Sequence, residues 1–315
     1  MKIKKIFAIG MASILLAYTV FFPTTATYTV NSSKIGKTTP KHEFAIAAKA
    51  EYEEKLSSGT AHAPNYEEKD AIIQKYSFAS VLSEKNTIAK EMKTMGLYVY
   101  YDNNLSVMND TKPLTSPEDG LPTENDVELH SPIIVYCADN DTWYISTSGH
   151  WKNDDWHSDT KTGKLGAPNA FGYSFSDYLQ ETYRSSVVRT ISVMWNQDFT
   201  MQASSGNRSD GSGSYGNGVR LSDKIVKNKA YNENDPESIP YYYIGYHWYL
   251  GCVYDSNFAT FSAIATSYYI HLYDSAYIKD INFVAQPRFS ITLSNKQDCF
   301  FAYSGDQAKT PGYKN

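Results

Sequence analysis

Side chains that could bind a metal ion are concentrated between positions 150 and 159 of the sequence. They are His150, Asp154, Asp155, His157 and Asp159. Imidazole and carboxylate groups are the usual protein ligands of zinc, and carboxylates are the main ligands of calcium. A loop that folds back on itself could bring such groups together, so His150, Asp154, His157 and Asp159 are candidate metal ligands. The spacing does not specify the ion, with calcium one possibility, and a solvated acidic loop is the alternative.

Three tryptophans surround the same loop. The apolar face of a sugar ring stacks on aromatic rings, while nearby amide and carboxylate oxygens accept hydrogen bonds from its hydroxyls. We therefore expect a glycan site, and its candidate residues are Trp143, Trp151, Asn153, Asp154, Asp155 and Trp156. The alternative is that the rings anchor a long loop to the rest of the fold.

Motifs for nucleophilic or metal-dependent catalysis are not found in the sequence. It contains no Gly-x-Ser-x-Gly elbow and no His-Glu-x-x-His pair. Cys252 follows His247 by five residues, but its aromatic, strand-like surroundings favour a structural cysteine. We therefore expect a protein that is not an enzyme. A hydrolase with a metal ion in the loop from His150 to Asp159 is an alternative.

The three cysteines, Cys137, Cys252 and Cys299, permit one disulfide. We expect it between Cys252 and Cys299, since both lie in the β-rich last third of the chain. Three buried, reduced cysteines are the alternative.

Most of the chain has the composition of β-strands. The stretch from Tyr241 to Tyr277 holds ten of the 27 tyrosines and consists largely of aromatic, β-branched and small residues. Alternation between Ala259 and Tyr273 predicts one long strand there. Residues 97–315 are thus expected to form an antiparallel β-sandwich of about eight to ten strands.

Helical patterns precede this β-rich region. Asn65 and Glu68 have the spacing of a helix N-terminal capping box, and Gly96 is suited to end a helix. We predict a helical segment over 65–96. The preceding residues, 27–64, are polar and low in large apolar side chains. They are expected to form a flexible tether, with a short helix from His42 to Leu56 possible within it.

The first residues have the features of a secretory signal peptide. Lysines at positions 2, 4 and 5 precede an apolar run, and small residues follow it up to Ala26. We expect cleavage after Ala26 and an extracellular, secreted protein. The formal net charge is −5, and no cluster of Lys and Arg follows residue 26. Nucleic acid is therefore not expected as a partner.

These features lead to two expectations of function besides the hydrolase. The first is a secreted, non-enzymatic binding protein that acts at the cell envelope or outside the cell, with a glycan as its ligand. The second is a β-pore-forming toxin, because the stretch from Val187 to Val226 has two alternating segments around a glycine- and serine-rich connection. Contact with a membrane is expected only for the toxin. The oligomeric state is left open.

Overall fold

The described part of the chain forms three α-helices, two antiparallel sheets and a separate strand pair. The structure, a computed structural model, describes residues 42–103, 123–152, 169–177, 184–195, 211–213, 215–221, 224–227, 231–235, 241–272, 278–284, 288–293 and 299–314. All of these belong to one compact unit, Thr38–Asn315. The expected signal peptide, residues 1–26, lies outside the described residues. No helix among the described residues is long and apolar enough to cross a bilayer.

The three helices are α1 (Glu43–Ser57), α2 (Tyr66–Phe78) and α3 (Leu82–Thr94). The predicted capping box of α2 is confirmed. The Glu68 N–H donates to Asn65 Oδ1 at 2.9 Å, and the Asn65 N–H donates to Glu68 Oε2 at 2.7 Å. Just after α3, Gly96 has a φ of 71°, the left-handed conformation that favours glycine at the end of a helix. These helix boundaries follow from local chemistry, which is why the sequence predicts them.

Helix α1 is packed onto the rest of the protein. It lies in the stretch that the sequence predicts as a flexible tether, 27–64. Its Ala45, Ala48 and Tyr52 are buried in the larger of the two hydrophobic clusters, and the Tyr52 hydroxyl donates to the His62 backbone oxygen at 3.0 Å. These three residues recur at helical spacing, so two alanines and one tyrosine suffice to form an apolar stripe.

The first sheet has seven strands: β1 (Leu97–Tyr101), β2 (Val127–Leu129), β3 (Ile133–Cys137), β4 (Thr142–Trp151), β6 (Arg184–Trp195), β9 (Lys224–Lys227) and β10 (Tyr241–Tyr254). Its main order is β1-β3-β4-β10-β6, with β2 paired to β4 and β9 paired to β10. β2 and β3 both pair with β4, and the register slips by one residue between them. Pro132, which has no N–H to donate, lies at this break.

The second sheet has six strands: β5 (Asn169–Phe175), β7 (Gly211–Gly213), β8 (Gly216–Leu221), β11 (Ile264–Leu272), β14 (Cys299–Tyr303) and β15 (Ala308–Lys309). Its main order is β14-β11-β5-β8-β7, and β15 also pairs with β11. The remaining strands, β12 (Ile278–Val284) and β13 (Arg288–Leu293), pair with each other. The prediction of a mainly β fold with antiparallel sheets is confirmed.

Each face of the first sheet is covered by a different layer. On one face, β3, β4 and β10 pack against α2 and α3 through residues such as Val135, Tyr144 and Tyr249. The other face packs against the second sheet, where the rings of Trp248 and Tyr269 stack with centroids 4.2 Å apart. Since successive strand residues point to opposite faces, sequence parity decides which layer a side chain of the first sheet contacts.

The tyrosine-rich stretch is divided between the two sheets. Its first part is β10 in the first sheet, and its later part includes β11 in the second. A 3₁₀ turn, Ser256–Thr260, lies between the strands, with the side chain of Asp255 accepting from the Asn257 N–H at 2.8 Å. The prediction of one strand from Ala259 to Tyr273 is therefore wrong at its start, because this turn redirects the chain before Ile264.

The two segments of the expected membrane hairpin also separate. β6 pairs with β10 in the first sheet, whereas β8 pairs with β5 and β7 in the second. The next strand after β8 is β9, and it pairs with β10 in the first sheet. The alternating segments between Val187 and Val226 thus do not pair with each other among the described residues. The described residues therefore do not form the hairpin on which the pore-forming alternative is based.

Cys137 and Cys252 are buried and form no disulfide. Cys252 is buried in the centre of the first sheet, and burial raises its pKa to about 12. Cys299 lies on β14, the outermost strand in the main order of the second sheet. The expected disulfide between Cys252 and Cys299 is therefore not formed in this structure. His247 and Cys252 lie an odd number of residues apart on one strand, so they face opposite layers and do not form a Cys/His pair.

Candidate metal centre

Three side chains able to bind a metal ion lie in one row across three neighbouring strands. In the register of the first sheet, Glu128 of β2 and His247 of β10 are both directly opposite His150 of β4. Directly opposed residues have their Cβ atoms about 5 Å apart on the same face. The row lies on the face that carries α2, with His150 in the middle.

His130 joins this row from the residues that follow β2. Its backbone N–H donates to the Ser148 oxygen at 3.0 Å, which continues the pairing with β4. His130 is two residues after Glu128 and faces the same side of the sheet. Its Nε2 atom lies 3.2 Å from Glu128 Oε1, and the second carboxylate oxygen lies 3.6 Å from His150 Nε2.

The hydrogen bonds around His130 hold its ring between a hydroxyl and a carboxylate. Its Nδ1 atom lies 3.1 Å from Ser148 Oγ, and which of these two atoms donates depends on the tautomer of the ring. The Ser148 hydroxyl can also donate to the Ser77 backbone oxygen at 3.2 Å. When it does, Nδ1 donates to Ser148, and the Nε2 atom can share a proton or a metal ion with the Glu128 carboxylate.

The separations within the group suit a small metal ion. One ligand atom from each of Glu128, His130 and His150 can be chosen so that all three lie within 4.8 Å of one another. Zinc binds nitrogen and oxygen at about 2.0–2.2 Å in tetrahedral geometry, which places its ligands roughly 3.5 Å apart. Small side-chain rotations would therefore be enough to bring these three groups around one ion.

The electrostatics of the site favour the protonation states that bind metals. The contact with His130 is the main reason that the pKa of Glu128 is lowered to about 2, with His150 adding to the effect. Burial lowers the pKa of His150 to about 4 and that of His247 to about 3, and in His247 the neighbouring His150 acts in the same direction. At neutral pH Glu128 is thus a carboxylate and His150 and His247 are neutral imidazoles, which are the ligand forms that coordinate metals.

The last turn of α2 covers the site. The ring of Phe78 stacks on His247 with centroids 5.2 Å apart and an interplanar angle of 23°. Ser77 accepts the hydrogen bond from Ser148 that orients His130. His130 is buried, and Glu128, His150 and His247 are partly buried. The ligand groups are thus held between a sheet and a helix rather than on a surface loop.

Of the sequence-predicted site residues that the structure describes, only His150 belongs to this group. Trp143 and Trp151 are fully buried, because their positions on β4 face the layer opposite to α2. Trp151 packs against Trp248, Tyr269 and His271. Neither tryptophan presents a ring face to solvent for a sugar. The other predicted residues lie outside the described part of the chain, and these are Asn153, Asp154, Asp155, Trp156, His157 and Asp159.

Sequence reasoning does not find Glu128, His130 and His247 as site residues. One local signal exists, since Glu128 and His130 are two residues apart in a predicted strand and must share a face. Their proximity to His150 and His247 depends on which strands pair and in which register. That information is not contained in any one segment of the sequence.

No protein-family model matches this chain, and no curated protein matches it.

Proposed function

We propose that this chain is a secreted, mainly β protein that binds a zinc-class metal ion through Glu128, His130 and His150, without catalysing a reaction. One observation carries the proposal, and it is the contact between His130 and Glu128. There His130 Nε2 lies 3.2 Å from one oxygen of the Glu128 carboxylate, and His150 Nε2 lies 3.6 Å from the other, so one metal ion could be bound by all three groups.

The ligand types indicate the class of metal. Imidazole nitrogens suit zinc, copper, nickel and iron, whereas calcium takes six to eight oxygen ligands. Among the ligands of this group only Glu128 supplies oxygen. Calcium, one possibility from the sequence, therefore fits this group poorly, and zinc is the ion that we propose.

Our proposal also covers the architecture of the protein and its location. We propose a β-sandwich of the two sheets, with α2 and α3 on the outer face of the first sheet. The basic and apolar start of the sequence supports export, with residues 1–26 acting as a signal peptide. An exported protein meets metal ions at the cell envelope or in the medium, where this site would bind them.

Zinc binding is tested directly on the purified, chelator-treated protein by calorimetric titration. We expect one zinc ion per chain, and His150→Ala should weaken the affinity by at least about tenfold because it removes a ligand. His62→Ala is the matched control, since His62 is an exposed histidine distant from the group in the sequence. A wild-type protein that binds neither zinc, copper nor nickel would contradict the proposal.

A second candidate function, glycan binding, rests on exposed aromatic side chains of the second sheet. Phe301 and Tyr303 on β14 are 50% and 71% exposed. Tyr268 of β11 is directly opposite Tyr303 and partly exposed. Because such rings can stack on the faces of sugars, we propose that any glycan site involves this edge rather than Trp143 and Trp151.

The glycan proposal is tested by cosedimentation of the protein with isolated cell-wall polysaccharide. Tyr303→Ala should abolish saturable, sugar-competed binding, whereas Tyr231→Ala should not change it. Tyr231 is a suitable control because it is also exposed, at 44%. Equal binding by both variants, or none by the wild type, would exclude this candidate.

A further inference from the structure

His247 lies on the opposite side of His150 from Glu128. The strand order in this part of the sheet is β2, β4, β10, so an ion above His150 can be approached from both sides. The rings of His150 and His247 have their centroids 5.1 Å apart and are nearly perpendicular, at 82°. His247 is not a member of the group within 4.8 Å, so it has to turn toward His150 in order to bind the same ion.

The backbone just before His247 is irregular. The pairing of β10 with β6 changes register between Ile244 and His247. Gly245, inside this irregularity, has a φ of 122°, a conformation that side chains rarely allow. Bulges of this kind alter the direction of nearby side chains and are frequent next to functional sites. The local backbone therefore provides a specific reason for the placement of His247.

The number of protein ligands decides what a zinc site can do. Three protein ligands leave a fourth position open for water, as in zinc hydrolases, whereas four protein ligands give a closed, non-catalytic site. Glu128, His130 and His150 alone would form an open site of the hydrolytic type. A fourth ligand from the next strand would close it.

We propose that His247 is the fourth ligand and that it leaves its stack on Phe78 to bind the ion, so that the site is closed. This inference rests on the proposed metal binding and specifies its purpose, because a closed site holds a metal ion without activating water. Movement of His247 away from Phe78 also alters the packing of the last turn of α2. Metal occupancy is thereby linked to the end of a helix that covers the site.

Cobalt(II) in place of zinc tests the inference, because its visible absorption reports coordination number. The wild-type protein should give the intense spectrum of four-coordinate cobalt, and this spectrum should not change when azide is added. In His247→Ala, azide should change the spectrum because a position is open, and cobalt affinity should fall by at least about tenfold. In Phe78→Leu, loss of the competing stack should tighten binding about two- to tenfold.

X-ray absorption of the wild-type zinc protein gives a second test that does not depend on any variant folding. Three imidazole ligands are expected, and two would overturn the inference. An azide-sensitive wild-type spectrum, or unchanged cobalt affinity in His247→Ala, would also overturn it while leaving the metal site itself in place. A wild-type protein that binds no cobalt or zinc would instead contradict the proposed function on which the inference rests.

Discussion

Glu128 contacts two histidines, and its chemistry can be tested with a substitution that keeps the shape of the side chain. In Glu128→Gln the amide nitrogen can donate to the ring nitrogen of His130 that now faces a carboxylate. Because the contacts that lower the pKa of Glu128 stabilise its carboxylate, we expect the metal-free variant to be somewhat less stable than the wild type at neutral pH. It should also lose the increase in melting temperature that zinc gives to the wild type, because the amide is a poor metal ligand.

Thermal unfolding with and without zinc measures both parts of this prediction. Glu124→Gln is a control with the same change of charge, since Glu124 is exposed four residues earlier. It should keep the full response to zinc. A zinc response in Glu128→Gln equal to that of the wild type would show that the carboxylate is not a ligand.

From the burial of His271 we predict that the fold loses stability in acid, independently of the metal centre. It is fully buried among Trp151, Tyr269 and Phe300, and burial lowers its pKa to about 3. In the unfolded chain a histidine has its ordinary pKa of about 6.5. Between pH 6.5 and 3 the unfolded state therefore binds more protons, and the free energy of unfolding falls as pH falls. One such group contributes a slope of up to about 1.4 kcal/mol per pH unit.

Urea unfolding between pH 4 and pH 7 measures this slope. His271→Phe should reduce it, because a phenyl ring fills the same aromatic surroundings and takes up no proton. The exposed His62, changed to Gln, should leave the slope as in the wild type. If His271→Phe shows the wild-type slope, the acid sensitivity arises elsewhere.

At the scale of elements, a buried ion pair connects the helices to the first sheet. The Lys85 ammonium of α3 lies 2.8 Å from Asp102 Oδ2, and both side chains are at most 3% exposed. The Tyr76 hydroxyl of α2 donates to the same oxygen at 3.0 Å. Lys85→Met would leave the buried carboxylate without its cation, and we expect the free energy of unfolding to fall by about 3–5 kcal/mol.

Two further variants separate this effect from a simple loss of charge. Combining Lys85→Met with Asp102→Asn removes both charges and should restore much of the lost stability. The pair of Lys75 and Glu91 is exposed, with 3.5 Å between its charged atoms, so Lys75→Met should change stability by less than about 1 kcal/mol. Chemical denaturation of the four proteins is the measurement. A small effect of Lys85→Met would mean that the carboxylate is already neutral in the fold.

The sequence predicts elements where local chemistry determines them. The capping box of α2 and the glycine after α3 depend on residues a few positions apart, and both are found as expected. The boundary within the tyrosine-rich stretch is missed, because Ala259 to Ala263 alternate like a strand although Asp255 starts a turn just before them. α1 is missed as a packed element because its buried stripe contains two alanines, which add little apolar area.

At the scale of the whole molecule, metal binding and folding are expected to be linked. The candidate ligands come from β2 and the residue that follows it, from β4 and from β10, and only the folded sheet brings them together. Zinc at one hundred times its dissociation constant should therefore raise the free energy of unfolding by about 2.7 kcal/mol. Denaturant titration measures this increase, and calcium is the control that should give none. Equal stability with and without zinc would contradict the site.

Only part of the candidate site can be predicted from the sequence. His150 is found because histidine and acids cluster around it, but its partners depend on strand order. The tryptophans are misplaced for a similar reason. Their clustering with polar residues resembles a binding loop, whereas parity along β4 directs Trp143 and Trp151 into the layer between the sheets. Only the pairing of strands distinguishes these two outcomes.

The separation of sequential strands into different sheets has a consequence for synthesis and folding. β4 forms the centre of the first sheet with β10, and hydrogen-bonded partners in the two sheets, such as Thr147 and Ser267, are 120 positions apart in the chain. A chain that emerges from its N-terminus would therefore display β4, buried on both faces in the finished protein, before β10 is available. Such an unpaired strand edge promotes aggregation. We expect this protein to depend on a holding chaperone until residues 241–254 have been made, and any metal ion to bind at the candidate site only after that.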